Sequence, residues 1–213
     1  VEKFLLIQTI KIMSNAHLYH AIKALADATN GIIKSEHVEK AGTTIQTCSI
    51  VAAASGLGAS LFPGGALVLT GFAVATVWGM YFKVNSDLGI SISENTLKSL
   101  ASALLSNIIT SAGSMLVALV VSGVIGLIPG LHLLAVPAQA VIAYITVFSA
   151  GILYIKLLTK LFKAQGSADL SGVDVNKAAE DIVQETDMGS MIKDLKESYK
   201  QDKDKIDEAK NKR

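Results

Sequence analysis

The sequence predicts an all-α integral membrane protein: two tandem helical hairpins, four apolar helices in all, with polar amphipathic helices at both ends. Three observations carry that expectation. Hydrophobic residues make up 51 % of the 213, while charged residues make up only 17 %, against about 25 % in ordinary globular chains. The deficit is concentrated, since residues 41–82 contain no formal charge and residues 99–155 contain only His132 as a possible one. Each uncharged run is broken once by a proline-glycine step, at Phe62-Pro63-Gly64-Gly65 and at Ile128-Pro129-Gly130. A helix facing water needs polar side chains every few positions, so uncharged runs of 42 and 57 residues argue for lipid around them.

Residues 1–40 form the first region. Phe4, Ile7, Ile10, Leu18, Ile22 and Leu25 recur at three- to four-residue spacing with Lys3, Lys11, Lys23 and Asp27 between them, the pattern of an amphipathic helix. Asn30-Gly31 is its stop signal. The opening residues lack the basic start and small-residue cleavage site of a secretory signal.

Residues 41–165 form the expected membrane domain. Hairpin one covers 41–82 and turns at Pro63, Gly64 and Gly65, because proline cannot continue a helix and the glycines permit a tight reversal. Its first arm, about 45–61, is ~25 Å long and marginal against a hydrocarbon core of ~30 Å, so hairpin one either spans a thin bilayer or is re-entrant. A charged connector follows at 83–98. Hairpin two, 99–165, turns at Pro129 and Gly130, and its arms are long enough to cross with tilt. Lys34, Lys40, Lys83, Lys98, Lys156, Lys160 and Lys163 flank the apolar ends. The positive-inside rule then places both termini on the cytoplasmic face of the membrane.

The third arm carries a sharper pattern. Ser102, Ser106, Thr110, Ser114, Ala118, Ser122, Gly126 and Gly130 fall at strict four-residue intervals, which places small side chains along one shallow ridge of a helix. In lipid such ridges let backbones approach closely, so these residues are the expected helix-packing interface of a homo-oligomer. Ala52, Gly56 and Ser60, and Gly71, Ala75 and Gly79, form shorter counterparts.

Residues 166–213 are a charged helical tail. Asp174 precedes a helical pattern, and Met188, Ile192, Leu195, Tyr199 and Ile206 sit near a/d spacing with Asp202 interrupting the seam. That seam is too narrow for an independent core. The tail is expected to be separable from the membrane domain and either solvated or docked on a partner.

No catalytic constellation is present. The chain has no phosphate-binding loop of the G-x-x-x-x-G-K-[ST] type, and Gly56-Leu57-Gly58 lacks the later glycine of a dinucleotide fingerprint. His17 and His20 lie one helical turn apart without an accompanying carboxylate or cysteine, which reads as packing rather than a metal site. Cys48 reads as a small hydrophobe. Net charge is +1, so no electrostatic reach towards nucleic acid follows. A non-enzymatic protein without cofactor or metal is expected.

The stretches Leu61–Thr70, Met80–Lys83, Asp87–Ser93 and Val124–Gly130 resemble the bacterial YcjF-like helical family, with Pro63, Met80, Lys83, Gly89, Pro129 and Gly130 at the matching positions. The polar Gln and Arg often carried in that family's second helix are absent here, where Val77 and Gly79 stand. The resemblance covers about 50–165 and implies a membrane-associated module working beside an Era-like or dynamin-like GTPase domain, or as a homo-assembly. It carries over no catalytic residue.

Two functions fit these readings. One is a membrane-embedded scaffold or remodelling module that self-associates through the small-residue ridge and engages a GTPase through its tail. The other is a pore-forming protein that hides uncharged helical hairpins in a bundle and later inserts them.

Overall fold

The computed structural model describes residues 15–55, 66–125, 135–170 and 172–212; within the helices, the side chains of 66–73, 116–125 and 135–139 are not described. Among the described residues the chain forms eight α-helices and no strand: α1 (Ala16–Ala28), α2 (Ser35–Ala54), α3 (Ala66–Leu88), α4 (Glu94–Ile125), α5 (Ala135–Gln165), α6 (Val175–Gln184), α7 (Met188–Gln201) and α8 (Lys203–Asn211).

Local signals set several boundaries. Asn15 caps α1, its side chain accepting from Leu18 N at 2.9 Å, which satisfies one of the free amides of the first turn. The helix buries Leu18, Ala21, Ile22 and Leu25, one stripe at three- and four-residue spacing. It stops where Asn30 (φ 48°) and Gly31 (φ 81°) take left-handed conformations. Asp174 caps α6 by accepting from Asn176 N and Lys177 N, and Asp187 caps α7 by accepting from Ser190 N.

Helices α2 to α5 run up and down. Thr44 on α2 donates to Asp87 near the end of α3, as an antiparallel pair requires. Tyr81 and Asn85 of α3 meet Ala150 and Tyr154 of α5 in the same order, so those two helices run parallel. α5 is the axis, in contact with α1, α2, α3, α4, α6 and α7. Every residue from 142 to 155 is buried. A helix that is apolar all round must be covered all round.

The structure corrects the expectation of four apolar membrane helices. Among the described residues, one helix is long and apolar enough to cross a membrane, the 26 residues Ala140–Gln165 of α5. It is ~39 Å long, and 89 % of its most apolar stretch is buried inside the bundle. The reason is that absence of charge is not hydrophobicity. Within its uncharged stretch α2 carries Thr43, Thr44, Gln46, Thr47 and Ser49, and its first turns lie in the charged segment from Ser35. The outer face of α4 is largely hydroxylated.

The tail also behaves differently from its expected separation. α7 packs on α4 and α5, and α8 packs on α2. Met188, Met191, Ile192, Leu195 and Ile206 are buried there. The seam that looks like a partner site in sequence is the inner face of the chain's own cover.

α2 comes close to α5 at Gly151. A Cβ added there would stand 2.5 Å from Ile45 Cγ2 and 2.9 Å from Ile45 Cγ1, so α2 and α5 meet almost backbone to side chain. Gly151→Ala is expected to destabilise the fold by about 1–3 kcal/mol through overpacking, although alanine favours helix. Ile45→Ala in the same chain should recover part of that loss. Chemical denaturation of the single and double variants measures the coupling; additive losses would contradict the contact.

Candidate functional site

The feature with functional potential is α5 itself, together with the groups that fasten other helices to it. Its buried tyrosines, Tyr144 and Tyr154, both donate to side chains of other helices. Tyr81 of α3 stacks on Tyr154 with ring centroids 4.1 Å apart and an interplanar angle of 20°. Tyr81 Oη donates to the Ala150 carbonyl at 3.0 Å, and Tyr154 Oη donates to Asn85 Oδ1 at 2.5 Å. Offset stacking plus two buried hydrogen bonds orients the pair. Trp78 Nε1, Asn85 Nδ2 and Ser149 Oγ are buried on these two helices without a hydrogen-bond partner. Each such group costs about 1–3 kcal/mol; of the three, Asn85 is the one whose other side-chain atom bonds across from α3 to α5.

On the other side the fastening is a single carboxylate. Asp202 sits between α7 and α8 and is 1 % exposed. It accepts from Gln46 Nε2 of α2 at 2.8 and 3.0 Å and from Tyr144 Oη of α5 at 2.7 Å. Lys205 Nζ, one turn along α8, is 2.8 Å away. Four helices thus converge on one side chain. A buried charge is tolerated only when its lone pairs are filled, and these donors fill them. The ring of Tyr199 meets that of Tyr144 edge-on at 5.5 Å. Its hydroxyl pKa is pushed up by burial, and further by the nearby Asp207 charge.

Smaller ties extend this latch. Asn15 Nδ2 donates to Ser198 Oγ at 3.0 Å, joining the start of α1 to α7. His17 Nε2 lies 3.2 Å from Asp194 Oδ2. At the α2–α3 contact, Asp87 accepts from Thr44 and pairs with Lys40 at 2.9 Å.

The ridge residues lie elsewhere. Ser102, Ser106, Thr110 and Ser114 are all exposed on the outer face of α4, opposite the stripe of Leu97, Leu100, Leu104, Ile108 and Ala112 that packs inward. Thr110 bonds back to the Ser106 carbonyl at 2.9 Å, a local contact. The side chains of Ala118 and Ser122 are outside the described set, as are Gly126, Gly130 and the tip residues Pro63, Gly64, Gly65 and Pro129. Of the shorter ridges, Ala52 is buried while Ala75 and Gly79 are exposed. Among the described residues no group of three His, Cys, Asp or Glu is placed to hold a metal ion.

Sequence reading missed Asp202, Gln46 and Gly151. Asp202 looks like a flaw in an apolar seam, yet an acid at a seam position is also a signal that a buried donor awaits it. Gln46 is the matching clue inside the first uncharged run. Gly151, in Ser149-Ala150-Gly151, is the small-residue site that a core helix uses for close approach.

Asp202→Ala should remove the acceptor that Gln46 Nε2 and Tyr144 Oη share and lower stability by about 3 kcal/mol. Asp202→Asn, which keeps one carbonyl acceptor, should cost less, and Tyr144→Phe about 1 kcal/mol. Urea unfolding of the three variants tests the order; equal, small effects would remove the latch from the account. Comparisons with protein-family models, with curated proteins and with solved structures give no match.

Proposed function

We propose that the chain is a membrane-acting, pore-forming type of protein that keeps a helical hairpin, α4 with α5, uncharged from Ser99 to Ile155 apart from His132, folded behind cover helices that include α2, α7 and α8, and delivers it to a bilayer. The observation that carries this reading is the 26-residue stretch Ala140–Gln165 of α5, long enough for a bilayer, with 89 % of its most apolar part enclosed. A core helix of any bundle could meet that description, so the second half of the hairpin matters. From Ser99 to Met115 the exposed positions of α4 are Ser99, Ser102, Ser106, Ile109, Thr110, Ser111, Ser114 and Met115, and none is charged. A helix that only ever faces water gains solubility from charge on its outer face. One that later exchanges water for lipid or for neighbouring helices must avoid it.

A self-associating scaffold is the second reading, favoured by the exposed line Ser102, Ser106, Thr110 and Ser114. Helices of another copy could approach closely along it. The resemblance to the YcjF-like family would add a GTPase partner and a bacterial cytoplasmic membrane with both chain ends on the cytoplasmic side. Neither reading invokes catalysis.

Locking the cover tests the first reading. The Gly151 Cβ position lies 3.2 Å from Ile45 Cβ, so an outward shift of a few tenths of an ångström brings the pair into the range of about 3.5–4.5 Å that a disulfide spans. Ile45→Cys with Gly151→Cys, in a Cys48→Ser background, should form a bond that holds α2 on α5. The oxidised protein should fail to release dye from anionic vesicles, and reduction should restore release. Equal release before and after reduction, or none from the parent chain, would overturn the proposal.

A further inference from the structure

Outside the latch, the molecule has a cleft of about 450 Å³ between α1, α5 and the end of α6, a size typical of small-molecule sites. Its floor is apolar, formed by Ala21, Ala24 and Ile182. Its rim is basic: Lys156, Lys160 and Lys163 project from successive turns at the polar end of α5, facing His17 and His20 of α1. The spacing of four and three residues brings the three lysines to one side of the helix.

The charges in the cleft do not balance. Glu185 is the single carboxylate in the lining, and it is engaged by Lys160 at 2.6 Å. Lys156 is half-buried; its ammonium donates to the neutral hydroxyl of Thr186 at 3.0 Å, and the one carboxylate acting on it is the Glu185 that Lys160 already engages. Lys163 is exposed at the rim and makes no ion pair among the described residues. Three lysines and one glutamate leave two positive charges over an apolar floor. Partly desolvated cations favour a counter-ion, and a doubly charged phosphate group matches two ammoniums better than a single carboxylate does.

We propose that this cleft binds a phosphate-bearing organic anion, the phosphate held by Lys156 and Lys163 and the carbon moiety resting on Ala21, Ala24 and Ile182. This goes beyond membrane delivery, since such a site would operate in the closed bundle whether or not the hairpin inserts. A free phosphate monoester and a phospholipid headgroup offer the same chemistry.

Calorimetric titration of the full chain with phenyl phosphate, beside flotation with phosphatidylcholine vesicles with and without phosphatidic acid, separates those sources. Lys163→Gln, an exposed change that leaves the fold intact, should weaken binding about tenfold, the worth of one charge-assisted hydrogen bond. Glu185→Gln, by freeing Lys160, should tighten it. Lys83→Gln, outside the cleft, should do neither. Cleft-dependent binding of phenyl phosphate supports the site with a free ligand, and cleft-dependent flotation alone supports it with a lipid one. Binding of neither, or a loss with Lys83→Gln equal to that with Lys163→Gln, overturns the proposal.

Discussion

Everything in this fold follows from a helix that cannot face water on any side. From 142 to 155 each residue of α5 is buried, and at about 25 cal/mol per Å² such enclosure is the dominant favourable contribution to the bundle. A helix with a single apolar stripe needs one partner; this one needs a ring of them. The remaining helices take their shapes from that demand. α1, α6 and α7 are short and amphipathic, each placing an apolar stripe inward. α2 approaches α5 closely enough that Gly151 leaves the room Ile45 occupies.

Enclosure by non-directional forces does not fix which cover helix sits where. Polar contacts do that here. Asp202 draws donors from α2, α5 and α8, so a shift of α7 or α8 by one turn would leave a charge buried without donors. Such groups contribute little net stability when satisfied and cost much when broken. The latch therefore specifies register more than it adds strength.

Much of the local structure was legible in the residues. The Asn30-Gly31 stop, the Asp174 cap, the helical character of the described parts of both uncharged runs and the stripe of Leu18, Ile22 and Leu25 in α1 all follow from short-range rules, and the structure has each of them; Phe4, Ile7 and Ile10 of the expected stripe lie outside the described residues. What was not legible was which surfaces are partners. The seam of Met188, Ile192, Leu195 and Ile206 announces an apolar face but not its occupant, and the occupant is α5 and α2 of the same chain. Gln46 and Asp202 lie 156 positions apart, beyond any periodicity argument. Uncharged Ser- and Thr-rich helices such as α4 read as membrane segments by charge alone. Hydroxyls that bond back to their own helix, as Thr110 does, let such a face sit on the outside of a bundle.

The central claim is that the charged C-terminal helices and the apolar α5 form one cooperative unit. Amide hydrogen exchange of the full chain in detergent-free buffer, read by mass spectrometry, tests it most directly. If α5 is enclosed as described, peptides spanning 142–155 belong to the slowest-exchanging class, and those spanning 191–206 share their opening free energy. Rapid exchange across 191–206 beside persistent protection of 142–155 would contradict the account, as would a chain that stays dispersed only in detergent.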